Sequence, residues 1–186
     1  MRFPLHLRRS PFDSAIQQLR DGRPGESSYG RRIVLLLTIP AFDDPVARDV
    51  RRSASGEIYV VRTVWQRALD RRARGPRVSV GIPGPGLGLL ELGAEHQPSL
   101  WSTQVGVDLG ALDRLLESLG ATTVPCQPRQ SEPPLDATIF ELTFGDELNE
   151  TRYRWGGEPP DGWSPLADFA SRLLRLIDEP AGGRRQ

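Results

Sequence analysis

The sequence predicts an α+β fold, with a mainly antiparallel sheet of six or seven strands packed against three principal helices. Three observations predict it. Apolar residues recur at helical spacing behind a capping signature in three places, and short runs rich in β-formers lie between turn signals. The 19 Gly and 17 Pro among 186 residues cut the chain into short elements. With 38% apolar and 26% charged residues, the chain has enough hydrophobic surface for a core and is not read as disordered.

The first helix opens at Ser10-Pro11-Phe12-Asp13. The serine can accept from free backbone N–H groups, proline suits the first turn, and the aspartate favours the positive helix end. Phe12, Ala15, Ile16 and Leu19 then follow at helical spacing up to Gly22. Residues 32–39 read as a buried strand and residues 57–65 as a second, with a loop containing one helical turn at 44–51 between them. Short strands are expected at 77–82 and 87–92 around a Pro/Gly turn at 83–86, and another at 100–107. Asp108 starts the second helix, which aligns Leu109, Leu112, Leu115, Leu116 and Leu119 and closes at Gly120.

The C-terminal third is read as a hairpin and a helix. Residues 137–144 and 151–155 alternate in polarity, and matching like faces pairs Phe140 with Trp155 and Leu142 with Tyr153. The same register sets Glu141 opposite Arg154 on the outer face. Ser164-Pro165 repeats the helix-start signature, and Leu166, Phe169, Ala170, Leu173, Leu174 and Ile177 form an apolar stripe ending near Pro180. The expected organisation is a core lobe over 1–120 and a Pro-rich connector over 121–135. The hairpin and helix over 136–180 are continuous with that core, and 181–186 form a flexible tail.

All 24 basic residues are arginine, so Schiff-base lysines, phosphate-loop lysines and lysine general bases are ruled out. Cys126 is the only cysteine and His6 and His96 the only histidines, which removes disulfides within the chain and thiolate zinc sites. No metal site and no cofactor are therefore expected. The glycine-rich segment 81–88 (GIPGPGLG) loses two N–H donors to proline and is read as a turn, not a phosphate cradle. Cys126, His96 and the acidic group Asp146, Glu147 and Glu150 are read as incidental or solvated residues. No signal peptide is apparent, and the longest apolar run, Ile33 to Leu37, is too short to span a bilayer. A soluble, reduced, cytoplasmic protein without membrane partners is the expectation.

Charge is unevenly spread. Residues 1–80 carry 16 Arg against 8 acids, and residues 81–186 carry the reverse. The plainer explanation is that the two halves pack together and neutralise one another; the alternative is a basic surface for a partner. Catalytic vocabulary is missing, so the chain is read as a non-catalytic protein-binding or accessory protein, with an immunity- or defence-type partner in a bacterial conflict system as the class analogy. The residues assigned to partner binding are Trp65, Arg67, Arg71, Arg72, Arg74, Trp155 and Trp163. Arginine forks and rigidly held aromatics are the side chains that dominate protein interfaces. Two alternatives stand beside this reading. One is a nucleic-acid-associated factor using the N-terminal arginines; the other is an enzyme whose Arg, Asp, Glu and Tyr site leaves no linear trace.

Overall fold

The computed structural model describes residues 10–22, 30–73, 97–125, 134–145 and 149–179. Its elements in chain order are α1 (Pro11–Asp21), β1 (Arg31–Ile39), β2 (Val46–Arg52), β3 (Ile58–Trp65) and α2 (Arg67–Ala73). They continue with β4 (Leu100–Val105), α3 (Leu109–Gly120), β5 (Ile139–Phe144), β6 (Thr151–Gly156) and α4 (Ser164–Asp178). The six strands form one antiparallel sheet in the order β4-β3-β2-β1-β5-β6. The fold is α+β, as the sequence predicts.

The helix boundaries follow their caps. The Ser10 hydroxyl accepts from the Asp13 backbone N–H at 3.1 Å, and α1 stops at Gly22, whose φ of 81° is open to glycine. The Asp108 carboxylate accepts from Ala111 N–H at 3.0 Å and starts α3. For α4 the signature shifts by one residue: Ser164 is already helical, and Trp163, the residue before it, offers no side-chain cap.

Layering follows from β1. Val34 and Leu36 join Val50, Val60 and Leu142 on one face, which α3 covers with Leu112 and Leu115 and α4 with Leu166, Phe169, Leu173 and Ile177. Leu35, Leu37 and Ile39 point the other way, onto Ala15, Ile16 and Leu19 of α1. A strand buried on both faces has no reason to alternate, hence the continuous apolar run at 33–37. Each Leu or Ile so buried contributes roughly 1.5–3 kcal/mol relative to exposure.

Residues 44–51, read as a loop with a helical turn, instead contain most of β2. The sequence VARDVRR has the charge density of a solvated segment, yet Arg48, Asp49 and Arg51 are only 5%, 6% and 7% exposed. Each has found an opposite charge. Asp49 receives Arg32 at 2.8 Å and Arg51 at 2.7 Å on the α1 face, while Arg48 reaches across the other face to Asp178 of α4. Paired in this way, charges can occupy an interior strand.

The C-terminal hairpin has the expected register, with Phe140 opposite Trp155, Glu141 opposite Arg154 and Leu142 opposite Tyr153. Its face assignment needs correction. Glu141 is fully buried, because β5 pairs with β1 and brings this face beneath α1. The hairpin thus extends the N-terminal sheet. Gly145, at φ 93°, closes the strand where a Cβ would lie 2.0 Å from the Asn149 carbonyl oxygen. The strands expected at 77–82 and 87–92 lie outside the described residues, as does the tail at 181–186.

Trp155 stacks on Phe140 at 5.6 Å and meets Trp163 edge-on at 6.3 Å. Truncating it opens a cavity among α3, α4 and the sheet. Trp155→Ala is expected to cost about 3–5 kcal/mol of unfolding free energy, measured from the urea transition. A wild-type midpoint would place this indole outside the energetic core.

Candidate functional site

The assigned residues divide into anchors and exposed positions. Trp65, Trp155 and Trp163 are all buried. Trp163 donates its indole N–H to the Pro125 carbonyl oxygen at 2.9 Å, fastening the start of the Pro-rich connector to the loop before α4. Trp65 donates to the Asp70 carboxylate at 2.6 Å, and the same carboxylate accepts from Ser99 N–H at 3.1 Å. Asp70, itself almost fully buried, therefore ties the end of β3, helix α2 and the entry to β4 together.

Arg67 serves the same region. Its guanidinium carbon lies 5.6 Å from the Phe12 ring centre and 5.7 Å from that of Trp65. Its Nη1 donates to the carbonyl oxygens of Pro40, Ala41 and Asp43 at 3.0–3.3 Å, and its backbone N–H donates to Asp44 Oδ1 at 2.9 Å. Arg67 thus clamps the 40–44 loop. The remaining assigned arginines are Arg71 and Arg72, exposed on α2, and Arg74, which lies outside the described residues.

Because β1 ends where β2 begins and β3 ends where β4 begins, these parts share one end of the sheet. Beside the two exposed arginines of α2, that end displays Phe42 at 79% exposure, Trp101 at 52% and Leu69 at 47%. These three apolar residues were not singled out from sequence. Trp101 was one of four tryptophans, and only its position on an edge strand, paired to Val64 alone, distinguishes it.

The opposite end of the sheet holds a second constellation, on the face covered by α1. Arg20 grips Glu141 with two parallel hydrogen bonds of 2.7 Å, from Nε and Nη2. Arg32 holds Asp49 in the same way at 3.0 and 2.8 Å. The hydrogen bonding of Arg20 to Glu141, opposed by burial, leaves the guanidinium pKa above its ordinary value. For Arg32, burial works against the charge, but the hydrogen bond and field of Asp49 prevail and its pKa is also raised. Both therefore stay charged at every ordinary pH, and their contribution to stability fades only as pH rises through the raised values. Arg152 pairs with Glu150 and lies 3.6 Å from Glu141.

Arg20, Asp21, Arg32, Leu35, Thr143, Glu150 and Arg152 line a cavity of about 190 Å³ here. A wider, more open groove of about 340 Å³ lies at the other end, beside the Arg48–Asp178 pair. Among the described residues, no three His, Cys, Asp or Glu side chains gather as a metal site, and no helix is long and apolar enough to cross a membrane. Segment 81–88, Cys126, His6, His96, Asp146 and Glu147 lie outside the described residues. Comparison with protein families, curated proteins and solved structures returned no match.

The Glu141–Arg20 pair joins α1 to β5, so removing one partner strands the other. Glu141→Gln is expected to lower stability by about 3 kcal/mol, measured by urea unfolding. The double substitution Glu141→Leu with Arg20→Met should recover most of that loss; recovery of none of it would show that the pair has no coupling energy.

Proposed function

We propose that this chain is a non-catalytic binding protein of the accessory kind, docking an acidic protein surface at the α2 end of its sheet. The observation that carries the reading is the combination of exposed Phe42, Leu69 and Trp101 with exposed Arg71 and Arg72 on one pinned framework. Apolar side chains of this size are commonly covered in globular proteins. Here Asp70 and Arg67 hold their supporting backbone fixed, so little conformational entropy is lost when a partner covers them. The arginines flank the apolar residues with positive charge. They select carboxylate-bearing partners and speed encounter, while the apolar side chains slow release.

The cross-sheet ion pairs also bear on the reading. Arg20, Arg48 and Arg62 of the basic half are paired with Glu141 and Asp178 of the acidic half. Part of the basic excess is thereby taken up within the molecule, which favours a compact docking surface over an extended phosphate-binding one.

Retention of host proteins on the immobilised chain, with and without nuclease, tests the proposal. A protein partner is expected to be retained after nuclease treatment. The pair Arg71→Glu with Arg72→Glu should weaken its retention roughly tenfold or more, and Trp101→Ala should do so independently. A chain that emerges alone, or a partner indifferent to all three substitutions, would overturn the reading; loss of the bound material on nuclease treatment would transfer it to a nucleic acid.

A further inference from the structure

The cavity beneath α1 carries features that bolting the helix to the sheet does not require. The Nε and Nη2 edges of Arg20 fill that role on Glu141, and the same edges of Arg32 are spent on Asp49 within the sheet. The Nη1 group of each guanidinium is left without a partner among the described residues, on side chains only 18% and 16% exposed. Beside them, Thr143 is 1% exposed, and its hydroxyl is buried with no hydrogen-bond partner. A buried hydroxyl without a partner is costly and calls for an occupant.

Charge then narrows the occupant. Among the described residues, Arg20, Arg32 and Arg152 line the cavity together with Asp21 and Glu150, while Glu141 and Asp49 are already held by Arg20 and Arg32, so charges of both signs border it. A bare anion or a bare cation would meet only one of those signs, whereas a molecule carrying both charges meets both. The groups left for an occupant differ in depth, because the deeper carboxylates Glu141 and Asp49 are already spent on Arg20 and Arg32. Thr143 and the two clamped arginines are largely buried, while Asp21 is exposed and the Glu150 side chain is 32% exposed. At about 190 Å³ the cavity falls below the range of roughly 300 Å³ and upward that holds drug-sized ligands.

We propose that this cavity binds a small zwitterion of the α-amino acid class, its carboxylate on Arg20, Arg32 and Thr143 and its ammonium toward Glu150 and Asp21. The arginines are pre-oriented by their carboxylate partners, so neither has to be ordered by the ligand. Thr143 supplies the hydroxyl hydrogen bond, and Leu35 leaves room for a short side chain only.

Calorimetric titration of the full chain with glycine, alanine and serine, alongside acetate, methylammonium and inorganic phosphate, tests this. The amino acids are expected to bind, with acetate, methylammonium and phosphate weaker by roughly tenfold or more. Thr143→Val, which keeps the side-chain shape, should weaken amino-acid binding by about tenfold. Glu150→Gln, at the exposed mouth, should erase the preference over acetate and keeps the test decisive if the threonine variant fails to fold. Acetate or phosphate binding as tightly as the amino acids, no heat from any of the six at about 10 mM, or Glu150→Gln leaving the preference intact would overturn the proposal. None of these outcomes bears on partner docking at the α2 end.

Discussion

Strand β1 is apolar on both faces, and that constraint organises the molecule. Val34, Leu35, Leu36 and Leu37 are all essentially inaccessible to solvent, so both surfaces of the sheet must be covered and both of the strand's edges paired. Helix α1 answers one face and the α3–α4 pair the other. β2 and β5 take its two edges, which attaches the C-terminal hairpin to β1 at one side of the sheet. Cα pairs such as Leu36 with both Arg48 and Leu142 follow from this, and with them the burial of charged residues that would otherwise sit in water.

That burial is the origin of the electrostatic design. A central strand must present side chains to both layers, and β2 presents Arg48 to one and Asp49 and Arg51 to the other. Each would be prohibitively costly alone in an apolar interior. The opposite charges come from distant parts of the chain: Asp178 from the end of α4, Arg32 from the beginning of β1. Such pairs fix which helix lies over which strand, because a misplaced layer would strand a charge. Arg20, Arg48 and Arg62 of the basic half are paired in this way with Glu141 and Asp178 of the acidic half.

What could be read from sequence was governed by local physics. Ser10 and Asp108 cap their helices through contacts three residues away, and the hairpin register follows from matching Phe140 to Trp155 across a short turn. What could not be read depended on distant partners. β2 resembles a solvated segment until Arg32 and Asp178 are placed beside it. Glu141 looks like a surface residue of an alternating strand until β1 brings α1 over it. The site was legible to the same degree. Arg71 and Arg72 stand exposed where their sequence suggests, but the roles of Trp65 and Arg67 as fasteners depend on Asp70, Ser99 and the carbonyls of the 40–44 loop. The cavity beneath α1 draws residues from α1, β1, β5 and the β6 region, and no linear pattern announces it.

The pairing of Ile39 with Ile139 has a consequence for how the protein is made. A ribosome delivers β1 long before β5, so the nascent chain carries one of its most hydrophobic strands with an open flank throughout most of translation. Such a segment is a template for pairing with the same segment of a neighbouring polypeptide. Host chaperones that shelter nascent chains, and codon choices that set the pace of elongation through the second half, therefore bear on yield alongside the stability of the finished fold.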